Sequence, residues 1–205
     1  SPSTAPLLQA FFEQEQDPSH REQLAWTLQS LHSSTPASGA LMLEVHTRAL
    51  REHPGYPQYP LFELGELGRE EALPLIAPHL SGRARYVAAA ALAKLEVPAL
   101  WPVYVSLLRR EEHWSDERLH GLIAYGLARI PGDDSTARLL DTLRRESGSV
   151  LGVVAALALG ERQDPTALPA LVDALAGLTA WDRLLHPLQA SIALFAEAGQ
   201  EALTA

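Results

Sequence analysis

The densest group of side chains able to do chemistry is EEHWSDERLH, residues 111–120 of this 205-residue chain. Asp116 and Glu117 stand four and three residues before His120, a spacing that puts two carboxylates and an imidazole on one helix face. Such a trio is part of a metal site. A complete site needs three or four converging ligands, and the chain holds no second pair of this kind. Carboxylates in a first helical turn also meet the positive end of the helix dipole favourably. The structural role is therefore the expected one, and no metal or other cofactor is expected.

Other chemistry finds less. Cysteine is absent, which removes disulfides, thiolate ligands and cysteine nucleophiles together. There is no glycine-rich phosphate loop, no H-E-x-x-H and no G-x-S-x-G. The eight histidines are scattered. Arg109-Arg110 and Arg144-Arg145 suggest a basic stripe, but Glu111-Glu112 and Glu146 follow them, and cations at helix C-termini are stabilising anyway. Twenty-five acidic against sixteen basic residues leave a net charge of −9, shared by both halves of the chain. That balance argues against a nucleic-acid partner, which requires a contiguous basic surface. No apolar run approaches membrane-spanning length. The opening SPSTAPLLQAFF carries no positive n-region of a signal peptide, so a cytoplasmic protein is expected.

The elements that would position these residues are helices, and the template is ARYVAAAALAKL, residues 84–95. Ala84, Val87, Ala88, Ala91, Leu92 and Leu95 recur at the steps of a 3.6-residue period. Leu92 has equivalents at Leu28, Leu64, Leu127, Leu159 and Leu194, at spacings of 36, 28, 35, 32 and 35 residues. A wandering period near 30–36 marks a helix-pair repeat with variable turns, since a tetratricopeptide array holds 34 residues more strictly. Each anchor leucine lies near the end of an inner helix that follows an outer one. The predicted pairs are 5–14 with 19–32, 38–53 with 59–67, 70–80 with 83–95, 99–110 with 116–130, 135–146 with 150–159, and 165–176 with 180–198.

Punctuation supports these limits. Asp17-Pro18, Asp164-Pro165 and Pro131-Gly132-Asp133-Asp134 are stop and restart signals. Ser115 is expected to cap the helix that follows, with Trp114 stapled to Leu119, and Thr179 with Asp182 resembles a capping box. The proline-stiffened HPGYPQYP, residues 53–60, is a looser joint within what reads as one domain over 1–205. No stretch alternates with period 2, so strands are not expected.

With the repeats aligned, the chain resembles the short bacterial HEAT-like repeats first noted in phycobilisome lyase subunits. Glu71-Ala72-Leu73-Pro74-Leu75-Ile76 and Thr166-Ala167-Leu168-Pro169-Ala170-Leu171-Val172 are similar to the family's outer-helix motif. Ala84-Arg85 with Ala88-Ala89, Ala91-Leu92 and Leu95 is similar to its inner-helix motif. The family's Val/Arg pair is Ala84-Arg85 here, then Leu119-His120 and Leu151-Gly152, so a repeated arginine ladder is missing. The resemblance implies an all-α, right-handed α-solenoid of about six pairs and twelve helices.

Inner helices of such an array line a concave binding face. Positions flanking the core stripe place Arg85, Ala89, His120, Ala124, Gly152 and Ala156 there, the small residues forming a smooth groove floor. Alanine is also simply a good helix former that lets neighbours pack closely. Tyr86 and Tyr125, with Arg85 and His120, are the expected anchors. The expected function is a non-catalytic scaffold or adaptor that binds another protein or peptide. The resemblance also implies alternatives: a lyase-type enzyme, a nucleic-acid binder, or an alkylpurine DNA glycosylase, whose aromatic residues and acid would have to come from Trp101, Trp114, Trp181 and Asp116.

Overall fold

Aspartate, serine, threonine and proline decide where several of the helices begin. The computed structural model describes residues 4–110, 113, 115–146, 149–176 and 185–204, with backbone alone at 133, 185 and 196–204. Twelve α-helices fill the described residues, which hold no strand: α1 (Thr4–Gln14), α2 (Pro18–Ser30), α3 (Pro36–Glu52), α4 (Gln58–Glu66), α5 (Leu73–Ile76), α6 (Arg85–Ala93), α7 (Leu100–Leu108), α8 (Glu117–Arg129), α9 (Asp133–Arg145), α10 (Val150–Arg162), α11 (Leu168–Ala176) and α12 (Leu185–Thr204).

The Asp17 carboxylate accepts from the backbone N–H groups of Ser19 and His20 at 2.9 and 3.0 Å, and Pro18 takes the first helical position. Asp164 does the same for Thr166 at 3.0 Å. Thr35 and Ser38 form a reciprocal capping box on α3 that the sequence reading passed over. The cap of α8 is Asp116, which accepts from the Leu119 N–H at 3.1 Å, and not Ser115 as expected. The carboxylate one residue on has the reach to that donor. Trp114, Thr179 and Asp182 lie outside the described residues, as do 177–184 at the expected start of the last helix.

The predicted outer helix 70–80 is divided. A 3₁₀ turn (Glu70–Ala72) leads into α5, and another (Ala77–Ser81) follows it. Pro78 lacks an N–H and would collide with the carbonyl four residues back, so the chain tightens instead of continuing α.

The chain divides into two compact units, 1–95 and 96–205, with 53–60 inside the first. In the first, α2, α3 and α4 pack in succession, and α4 lies along α6. In the second, α10 packs on α8, α9 and α12, and α11 on α12. The anchor leucines are the reason. Leu28, Leu64, Leu92 and Leu159 are wholly buried, Leu127 nearly so, and Leu194 is half-buried. One pair cannot cover its own apolar stripe, so each leans on the next.

Bonds between repeats keep the same spacing. Arg69 donates to the Pro36 carbonyl 33 residues back, and Ser191 Oγ to Ala156 O 35 back, at 3.1 and 2.7 Å. Lys94 pairs with Glu66, and Arg129 with Glu96. The Arg162 guanidinium donates to the carbonyls of Ala128, Ile130 and Gly132, at 3.1, 2.7 and 2.9 Å, closing the C-terminal end of α8.

Candidate functional site

The described residues of the group at 111–120, namely 113 and 115–120, form an architectural joint. His120 Nε2 donates to the His113 carbonyl at 2.8 Å, both residues being buried, which ties the loop before α8 to that helix. Burial holds the His120 imidazole below its ordinary pKa, against the opposing pull of that backbone bond and of Asp116 and Glu117. Asp116 is turned to the backbone as a cap, and Glu117 is exposed. Among the described residues, no three His, Cys, Asp or Glu side chains are placed to hold a metal ion.

The residues expected to floor a groove lie in the interior. Ala89 and Ala156 are wholly buried, Ala124 nearly so, and Gly152 and His120 are closed to solvent. Arg85 and Tyr86 are half-buried, and Tyr125 is 44% exposed. The more open ridge of each of α6, α8 and α10 lies one residue after the expected floor positions, at Tyr86 and Ala90, Gly121 and Tyr125, and Val153 and Leu157, and takes in the expected anchors Tyr86 and Tyr125. A shift of one residue turns a helix by about 100°. Packing by the neighbouring pair covers one flank of the small-residue stripe and leaves the other open.

On that ridge the arginines and tyrosines are organised. The Arg85 guanidinium lies 4.6 Å from the Tyr86 ring centroid and donates to its hydroxyl at 3.1 Å. Arg129 lies 5.4 Å from the Tyr125 ring while pairing with Glu96. Each is a cation–π contact.

A cluster of aromatic rings, partly exposed, lies in the first unit. Trp26 of α2 stacks on Tyr59 of α4, centroids 5.9 Å apart and planes 16° from parallel. Behind it, His46 of α3 meets the Trp26 ring edge-on at 5.0 Å. Tyr59 is 59% exposed, Phe62 47% and Tyr56 81%. Lys94, just past the end of α6, lies 4.3 Å over the Phe62 ring and pairs with Glu66 one turn further along α4. Glu63 Oε2 accepts from the Gln29 amide at 2.6 Å. Burial first, then the Glu63 charge, holds the Tyr59 phenol above its ordinary pKa.

This cluster was missed because its residues come from different repeats and Tyr59 falls in the proline-rich joint. One signal was available: Trp26 and Phe62 each stand two residues before an anchor leucine, 36 residues apart.

The remaining concavities are open. A cleft of about 530 Å³ between α1 and α2 is lined by Phe11, His20 and Leu24 among others. Another, of about 380 Å³, has Trp101, Asp134 and Arg138 on its rim, and its Ser135 hydroxyl donates to the Pro131 carbonyl. Trp114 and Trp181, named for the glycosylase alternative, lie outside the described residues. Arg109, Arg110, Arg144 and Arg145 are exposed, and Arg145 pairs with Asp141 on its own helix.

Stacked helix pairs with leucine anchors at a wandering 28–36-residue spacing define an all-α helical-repeat protein. Residues 153–177, the greater part of α10 with α11, match the family model described as PBS lyase HEAT-like repeat, which supports a HEAT-like repeat architecture. Such repeats generally mediate protein interaction. No curated protein matches the chain. No described helix is long and apolar enough to cross a membrane.

Proposed function

We propose that this chain is a non-catalytic protein-binding scaffold or adaptor of the cytoplasm whose docking face is the aromatic ridge of α2 and α4. The observation that carries the reading is the pair of exposed rings Tyr59 and Phe62 on α4, with the half-buried Trp26 of α2 stacked on Tyr59. Tyrosine and tryptophan offer large, stiff contact area and dominate binding hot spots. On α6 of the same unit, Tyr86 is half-buried with the Arg85 guanidinium against its ring. The anchor spacing continues across residues 95 and 96, which favours one repeat array over 1–205. The net charge of −9 favours a neutral or basic protein or peptide as partner.

Affinity capture from a lysate of the source organism, with and without nuclease, tests the reading. A stoichiometric protein should survive nuclease and be lost with the double variant Tyr59→Ala, Phe62→Ala. Recovery that depends on intact nucleic acid, or that ignores the double variant, overturns it.

A further inference from the structure

The exposed aromatic rings on the inner helices come with carboxylates, and two of the three sets already hold a cation. On α4, Phe62 and Glu66 stand one turn apart, and Lys94 from the next repeat covers the ring and pairs with the acid. On α8, Arg129 lies against Tyr125 and pairs with Glu96. The third set, Tyr59 and Glu63, repeats the α4 spacing one turn earlier. Its acid is held by a neutral donor, the Gln29 amide, at 2.6 Å to the side chain and 3.2 Å to the Glu63 carbonyl. No cation of the described residues pairs with Glu63, although Glu22 on the neighbouring α2 is taken by Arg48 at 3.1 Å. One face of the Tyr59 ring rests on Trp26, and 59% of the residue is open.

We propose that Tyr59 and Glu63 form a receptor for an arginine side chain of a protein partner, which stacks on the open tyrosine face and pairs with the carboxylate. A guanidinium suits both halves at once, because it is planar, stacks on aromatic rings and donates through a fork to carboxylates. Trp26 braces the ring from behind and Gln29 holds the acid, so little side-chain freedom is lost on binding. The neighbouring Lys94 already bridges a ring and an acid with the same spacing. The proposal rests on the reading of this ridge as a protein-docking face.

The test is a selection of random twelve-residue peptides displayed against the whole folded chain, followed by affinity measurement on the enriched sequences. Enriched peptides should share an arginine. Replacing it by citrulline, which keeps the shape and removes the charge, should weaken binding about tenfold, as should Glu63→Gln and Tyr59→Ala. Soluble N-acetyl-arginine amide should compete with the peptides for the wild-type chain better than N-acetyl-citrulline amide, an arm that needs no variant. Peptides that require Tyr59 but tolerate citrulline or Glu63→Gln would overturn the arginine receptor and leave the docking face standing. Peptides whose binding ignores both Tyr59 and Phe62 would overturn both.

Discussion

Gly160 of α10 lies so close to Ser191 of α12 that a Cβ on the glycine would sit 2.6 Å from the serine Cβ. Real Cβ atoms do not approach so closely, and the Ser191 Cα, at 2.7 Å, cannot swing aside. The same relation joins α4 to α6, where a Cβ on Gly65 would meet the Ala91 Cα at 2.7 Å. Close helix crossings at glycine thus set the distance between successive inner helices in both units.

Gly160→Ala and Gly65→Ala should therefore each destabilise the chain by about 3 kcal/mol, at the upper end of overpacking costs. Gly121, on the exposed ridge of α8 with nothing within 4 Å, provides the contrast. Gly121→Ala should stabilise by roughly 0.5–1 kcal/mol through helix propensity alone. Urea unfolding followed by circular dichroism reads all three, and equal behaviour of Gly160 and Gly121 would contradict the packing argument.

Arg162 offers a second test, because its fork holds three carbonyls at and beyond the last turn of α8. Arg162→Ala should cost about 2 kcal/mol, since part-buried acceptors lose a charged donor. Arg162→Lys should recover less than half of that, because a point-like ammonium cannot span the three acceptors. Full rescue by lysine would mean that charge alone matters at this helix end.

The two candidate caps of α8 separate cleanly. Asp116→Ala should cost about 1 kcal/mol and Ser115→Ala less than about 0.5, given that the Asp116 carboxylate is what accepts from the Leu119 N–H. The opposite order in urea midpoints would restore Ser115 as the cap.

His46 makes stability depend on pH. It is 1% exposed, its Nε2 has no partner among the described residues, and burial pushes its pKa down to about 4 from 6.5. The neutral ring is the folded form, and the unfolded chain takes up a proton first as pH falls. Stability is thus intact above about pH 6.5 and declines as pH approaches 4, by up to about 3 kcal/mol. Thermal midpoints at pH 7 and pH 5 should differ more for the wild type than for His46→Leu. Parallel drops would assign the pH dependence to other groups.

Much of this molecule was written in local chemistry. Asp17-Pro18 and Asp164-Pro165 start helices because an acceptor side chain and a donor-free residue suit a helix N-terminus wherever they occur. The anchor leucines announce the repeat because each pair must bury the same stripe. Repeat spacing also foreshadows the bonds from Arg69 and Ser191 to the preceding repeat. Only tertiary packing decided which flank of that stripe meets solvent. Ala89 and Ala90 are chemically identical, and the covering helix alone closes one and leaves the other half-open. It also decided that His120 is a strut and that Trp26 and Tyr59, 33 residues apart, stack on one another. Contacts between repeats depend on helix crossings, and those are set by how closely small residues such as Gly65 and Gly160 let backbones approach.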